Sequence, residues 1–283
     1  MAKQVKSDQP TGQEPNAAAI RPPIVMVIGY KGGVGKTLLA RAVICRFIAA
    51  GATPRIVQID KTPALPAVYG DSVIAISLPG IEAQRADPLA ALTALEPFEE
   101  AVDATLADGR PLVIDVGGGH LTGAVVETIG KGRVDAHVAK RADAIVFVPL
   151  VAEPGTMELA ADLAEQVEQA FPNARIVPAL NLRDGAFKFF PGSAADAVMK
   201  KRVQPMLDRH APLKLPAVPA GALAPFDAHH LSFIKLIESE PVELARRLGV
   251  SRLIAATLQG DVAQWLAEVW ASLDAILPIT REA

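Results

Sequence analysis

Val27-Ile-Gly-Tyr-Lys-Gly-Gly-Val-Gly-Lys-Thr-Leu-Leu-Ala-Arg41 reads as a strand end, a glycine-rich loop and the start of a helix. Ile24 to Ile28 is a nearly unbroken β-branched run, the composition of a strand buried on both faces. From Lys36 onward, Leu39, Val43 and Phe47 recur at helical spacing. The loop between them predicts a phosphate cradle. Gly32, Gly33 and Gly35 tolerate backbone conformations closed to other side chains, so successive N–H groups can converge on an anion at the positive end of the helix. In such a cradle Lys36 reaches the β- and γ-phosphates and the Thr37 hydroxyl ligates Mg²⁺.

The spacing departs from the ordinary G-x-x-x-x-G-K-[ST] pattern, because Tyr30 holds the place of its first glycine and Lys31 follows at once. The string Lys31-Gly-Gly-Val-Gly-Lys-Thr37 resembles the deviant Walker A loop of the ParA/MinD family of ATPases. The resemblance implies a single-domain α/β P-loop NTPase fold, a mostly parallel twisted sheet with helices on both faces. It also implies ATP and Mg²⁺ as cofactors, with Lys31 reaching across a dimer interface to the partner's nucleotide.

Composition narrows the alternatives. The chain has 283 residues, ample for a sizeable core, and 51% hydrophobic residues with few aromatics suit a helix-rich α/β protein. A net charge of −3 advertises no global basic field, so contact with nucleic acid or an acidic membrane must rest on a local patch. The one cysteine, Cys45, excludes an intramolecular disulfide and a cysteine-rich metal site, and fits a reducing cytoplasm. No apolar run is long enough to span a bilayer, and a soluble cytoplasmic protein is expected. Residues 1–22 are polar and lack the apolar core of a signal peptide, and read as a disordered tail. Residues 23–240 read as the ATPase domain, and 241–283 as C-terminal helices packed on it.

Beyond the helix Lys36 to Ala50, Arg55 to Ile59 is a second apolar strand, ending in Asp60. The ParA/MinD family has Asp-x-Asp-Pro at this point, and alignment with Asp60-Lys-Thr-Pro63 puts Thr62 on the second aspartate, which positions the attacking water. Threonine cannot serve as a general base at neutral pH, so the resemblance implies slow hydrolysis. The other register pairs Gln58 with Asp60 and loses the match at Pro63; the first is favoured. Val73 to Leu78 reads as a strand, followed by a polar turn and a helical stretch from Pro88 to Leu106. Pro111-Leu-Val-Ile-Asp-Val-Gly-Gly-Gly119 is a strand ending in Asp115 and a glycine run, and resembles the Walker B and switch II element. His120 follows; it could line the site, but a lone loop histidine reads more readily as solvated.

Leu121 to Lys140 is expected as a helix or a helix pair, Ala144 to Leu150 as a strand, and the chain after Glu153-Pro154 as a helix to Phe171. Ala174 to Leu180 reads as a strand ending in Asn181, which the resemblance implies meets the adenine edge and which otherwise reads as a turn residue. Lys200, Lys201 and Arg202 cluster on the next helix. Leu213 to Pro219 is the last expected strand, and the loop from Pro219 to Leu223 is expected over the base. Glu243-Leu-Ala-Arg-Arg-Leu-Gly-Val-Ser251 looks like the turn of a helix-turn-helix, but reads better as a connector between packed helices. The stripe Trp265, Leu266, Val269, Trp270, Leu273 and Leu277 marks a core face on a helix expected over 261–277.

The resemblance assigns catalytic roles to Lys31, Lys36 and Asp60. It places Gly32, Gly33, Val34, Gly35, Lys36, Thr37, Leu38, Asn181 and Pro219 at the nucleotide, and Thr37, Asp60 and Asp115 at the metal. It implies a homodimer formed with ATP, an activating partner protein, nonspecific DNA as a surface and nucleoid association. The function it implies is a switch that positions or partitions a cargo: plasmid DNA, a conjugation or secretion apparatus, or a division component. Two other functions fit the sequence less well: an ATP-dependent ligase or synthetase on the same fold, for which no second-substrate motif is evident, and a DNA-binding adaptor using 243–251.

Overall fold

The structure, a computed structural model, describes residues 21–279 with the exception of Pro88. The tail expected over 1–22 lies outside it up to residue 20, as does the helix start expected at Pro88. Seven strands form one sheet: β1 (Pro23–Val27), β2 (Arg55–Ile59), β3 (Val73–Ile76), β4 (Leu112–Val116), β5 (Asp143–Leu150), β6 (Arg175–Asn181) and β7 (Leu213–Leu215). Their order is β3-β2-β4-β1-β5-β6-β7, and every pairing is parallel. Parallel neighbours need crossovers, which here are helices covering both faces.

Alternation along β1 divides the interior. Ile24, Met26 and Ile28 join the core under the helices Glu96–Asp108, His120–Lys131 and Pro154–Ala170. Val25 and Val27 join the opposite core, under the helices Lys36–Ala49, Phe233–Glu238, Pro241–Leu248 and Arg252–Leu273. All five β1 residues are buried, as a strand between two helical layers must be. The C-terminal helices share that second core. Trp270 Nε1 donates to the Ala42 carbonyl at 3.3 Å, Arg46 pairs with Asp274 at 2.6 Å, and Trp265 Nε1 donates to the Pro216 carbonyl at 2.9 Å.

Several boundaries differ from those expected, each for a local reason. The stretch expected as one helix over 88–106 contains two, Ala90–Ala94 and Glu96–Asp108. Pro97 cannot donate to a preceding turn and so stands in the first turn of the second. The turn expected before them contains the helix Ile81–Ala86. Residues 121–140 form a helix pair, His120–Lys131 and Val134–Val138. β7 stops at Leu215, because Pro216 has no N–H for the ladder. The last helix begins at Arg252 and not at Asp261: Ser251 Oγ accepts from Ile254 N at 3.3 Å, and burial of Ala255 and Val262 outweighs the roughly 1 kcal/mol cost of Gly260.

Candidate functional site

The C-terminal ends of β1, β2 and β4 lie side by side, and the loop after β1 turns above them into the helix Lys36–Ala49. Gly33 and Gly35 have φ of 75° and 98°, in the left-handed region that favours glycine. A Cβ on Gly35 would lie 2.6 Å from Asn181 Nδ2, so this position is also sterically closed.

Two side chains of the helix's first turn point back into the site. Lys36 is 8% exposed and donates from Nζ to the Lys31 carbonyl at 2.8 Å. Burial lowers its pKa, against the opposing pull of the Asp115 and Asp60 carboxylates. Thr37 Oγ1 donates to Asp115 Oδ2 at 2.7 Å, tying the loop to the end of β4. The fold is that of a P-loop NTPase.

Asp115 is 2% exposed, and its pKa is pushed up to about 6, chiefly by burial and against the bonds from Thr37 and Gln58. Its second oxygen, Oδ1, is buried without a hydrogen-bond partner. An orphaned carboxylate oxygen beside a threonine hydroxyl fits the donor set of a divalent cation that keeps several waters and takes its remaining ligands from phosphate. Mg²⁺ therefore fits these residues, and no group of three or more His, Cys, Asp or Glu among the described residues offers an all-protein cage.

Gln58 stands opposite Asp115 in the β2–β4 register. Its Nε2 donates to Asp115 Oδ2 at 2.8 Å, and its Oε1 accepts from Leu65 N at 2.8 Å. This residue ties the segment after β2 to the Asp115 carboxylate, and the favoured sequence register left it out. Asp60, two residues on, carries its Oδ2 to within 2.7 Å of where a Gly117 Cβ would lie. Thr62 is exposed, and its backbone N–H donates to Asp60 Oδ1 at 3.2 Å. The pair whose side chains face the β4 end is thus Gln58 and Asp60. The signal was in the sequence: residues two apart at a strand end share a face.

The glycine run after β4 packs directly on the loop. Gly119 N donates to the Tyr30 carbonyl at 2.7 Å, and Gly117 N to the Ile59 carbonyl at 2.8 Å. Thr122 Oγ1 donates within reach of both the Gly29 and Gly117 carbonyls, at 3.1 and 2.9 Å. A Cβ on Gly118 would meet the Tyr30 carbonyl oxygen at 2.8 Å. His120 opens the following helix with Nε2 buried and unpartnered, unlike the solvated loop residue expected.

The far wall comes from β6. Asn181 is 3% exposed; its Nδ2 donates to the Val34 carbonyl at 3.0 Å, and its Oδ1 accepts from Arg183 N at 3.1 Å. Arg183 Nη1 donates to the Gly33 carbonyl, and its Nε pairs with Asp184 at 3.0 Å. In the structure, Asn181 and Arg183 brace the loop. Pro219 is exposed; its carbonyl accepts from Ala222 N at 3.0 Å, and it lines a 120 Å³ pocket with Gln264 and Trp265. Lys31 and Gly32 are exposed at the loop's tip, Val34 is buried and Leu38 half-buried.

No protein-family model and no curated protein matches the chain. Solved structures do. The MinD cell division protein of Aquifex aeolicus is 14% identical over 92% of this chain and 100% of its own, with a TM-score of 0.45. The MinC:MinD cell division protein complex of Aquifex aeolicus gives 15% identity, 93% and 100% coverage and a TM-score of 0.45. An ATP complex of Cyanothece McdA gives 14% identity, 88% and 96% coverage and a TM-score of 0.36.

Proposed function

We propose that the protein is an ATP-binding switch that dimerises with nucleotide and acts in positioning or partitioning a cargo. The observation that carries this reading is the division of labour between the loop's two lysines. Lys36 is buried and turned into the cradle, whereas Lys31 is exposed and makes no ion pair among the described residues. A free ammonium at the tip of a phosphate cradle is placed to meet phosphate on another molecule, where it would stabilise transferring charge electrostatically.

In this reading the N–H groups from Gly32 to Leu38 cradle the phosphates, and Lys36 neutralises them. Thr37 and Asp115 would hold Mg²⁺, which would supply neutralisation of phosphate charge. Asp60, not Thr62, orients the attacking water, so the chain retains an acid where threonine would have left none. The glycines at 117–119, hydrogen-bonded to the loop, carry its state into the helix His120–Lys131. The adenine lies between Asn181 and Pro219. Plasmid DNA, a conjugation or secretion apparatus and a division component all suit such a switch, with a partner protein stimulating turnover and a cytoplasmic, nucleoid-associated location.

The test separates the lysines. Lys36→Ala abolishes ATP binding, measured by fluorescence anisotropy of a labelled nucleotide. Lys31→Ala keeps binding, yet remains monomeric in light scattering with Mg-ATP. An ATP-induced dimer that survives in the Lys31 variant refutes the assignment. Turnover that depends on a small carboxylate would favour a ligase instead.

A further inference from the structure

Two leucines ahead of β4 stay in solvent, Leu89 at 62% and Leu92 at 44% exposure. Backbone bonds hold both in place: Leu89 N donates to Asp87 Oδ1, Thr93 N to the Leu89 carbonyl and Leu95 N to the Leu92 carbonyl, each at 2.9 Å. Both leucines stand on the lip of a cavity of about 530 Å³, a size typical of binding pockets. Its floor is Leu95, Phe98 and Val102, each no more than 4% exposed, with Val134 facing them. Exposed leucines that continue a cavity's apolar floor mark an interaction surface more than scattered ones do.

The cavity is a trough between helices. One wall is the helix Glu96–Asp108; the other is the pair His120–Lys131 and Val134–Val138, through Thr128, Val134 and His137. Such a trough has the shape that receives a third helix, whose apolar side chains enter at i, i+3, i+4 and i+7. A small ligand confined to the cavity leaves Leu89 in water, whereas a helix lying along the lip can cover it. Thr128 stands eight residues beyond His120, about 12 Å along their helix, so the trough lies away from the phosphate loop.

Charge narrows the occupant. Glu96 and Glu99, three residues apart on one helix face, line the trough, are exposed and make no ion pair among the described residues. Their place in the first turn complements the helix dipole and still leaves both carboxylates free to meet a cation. Among the described residues no lysine or arginine lines the trough. Lys131, close by, pairs with Glu127, and His137 pairs with Asp103 at 2.6 Å.

We propose that this trough is a docking site for an amphipathic α-helix of another protein. Leucine-type side chains of that helix seat over Phe98 and Val102, against Leu89 and Leu92, and lysine or arginine lies along the flank that meets Glu96 and Glu99. The apolar floor supplies most of the affinity, while the carboxylates fix the register and speed the encounter. Docking here needs no nucleotide and is independent of the nucleotide reading.

The test uses the full chain without nucleotide and a labelled peptide of about 18 residues, an alanine-based helix with a leucine stripe and lysines on one flank. Anisotropy is expected to show saturable binding that weakens as salt rises. Leu89→Ser/Leu92→Ser weakens it at least ~10-fold. Glu96→Lys/Glu99→Lys weakens it by about as much and gains affinity for the same peptide with glutamates in place of its lysines. Glu158→Lys/Glu243→Lys, at exposed acids elsewhere, changes neither preference. Circular-dichroism melting reports whether each variant folds. If the lysine variant does not, Glu96→Gln/Glu99→Gln is expected to keep the peptide bound and to flatten its salt dependence. A wild-type chain that ignores the peptide overturns the proposal, as does a charge reversal that leaves the peptide preference unchanged. A cavity that takes a neutral naphthylamine dye and keeps it when peptide is added also overturns it, in favour of a small ligand. A sedimentation coefficient that falls in Leu89→Ser/Leu92→Ser overturns it in favour of a second copy of the chain.

Discussion

Replacing Asp115 by asparagine separates what the site needs from what the fold prefers. In the folded chain burial lifts this carboxyl from an ordinary 3.8 to about 6. Between about pH 4 and 6 the folded protein therefore holds a proton that the unfolded chain has released, so this group's contribution to stability falls as pH rises through that window. Above pH 6 the full penalty applies, about 3 kcal/mol for a rise of this size. Asp115→Asn removes the charge, and its amide oxygen can still accept from Thr37 and Gln58. Its NH₂ then occupies the place of the orphaned Oδ1, and an unsatisfied buried donor costs about 1–3 kcal/mol. The net expectation near neutral pH is a nucleotide-free variant about 0–2 kcal/mol more stable than wild type, yet unable to hold Mg-ATP. Urea unfolding at about pH 4.5 and about pH 7.5 measures it, and the variant's stability relative to wild type should improve between those values as the carboxylate ionises. A variant clearly less stable than wild type at neutral pH, or a difference that does not move with pH, refutes the assignment of a carboxylate penalised by burial.

The same titration runs the other way for the ligand: Mg-ATP affinity should drop roughly tenfold per pH unit below about 6, because the metal needs the ionised form, and calorimetry across that range would show it. Gly35→Ala forces a left-handed side chain and drives its Cβ against Asn181, so a loss of about 2 kcal/mol or more in denaturant unfolding is expected, together with loss of nucleotide binding. Gly118→Ala places a Cβ against the Tyr30 carbonyl, and should leave nucleotide binding within a few-fold of wild type while ATP turnover collapses, read by phosphate release. Asn181→Ala frees the Val34 carbonyl and leaves a space in the loop's wall; nucleotide affinity should weaken by about tenfold, equivalent to roughly 1.4 kcal/mol.

Strand identity was legible where one residue type ran on without relief. β1, β2, β4 and β5 are predominantly apolar, and their expected bounds agree with the observed ones to within one or two residues. The loop was legible because its glycines, lysine and threonine stand in an order that little else would require. Pairwise arrangements across the sheet were harder to read. Gln58 matters because β2 lies beside β4 in a register that sets it against Asp115, and no local pattern in either strand carries that register. Asn181 and Arg183 reach the loop from β6, some 150 positions away, through two hydrogen bonds that composition does not reveal. Pro97 and Pro216 could have fixed two boundaries from the sequence, since each lacks the donor that the longer element would have needed.

The strand order has a consequence for biosynthesis. β1 is made first, yet its neighbours are β4 and β5, so its second edge is covered only once Asp143–Leu150 has left the ribosome. The brace on Val34 comes later still, with Asn181. A nascent chain ending before β6 thus carries the whole glycine loop and the helix behind it, but lacks the wall that holds the loop's shape. On the proposed reading, nucleotide capture is deferred until about two-thirds of the polypeptide exists, and until β4 emerges an apolar β-branched strand stands unpaired, in need of shielding from other nascent chains.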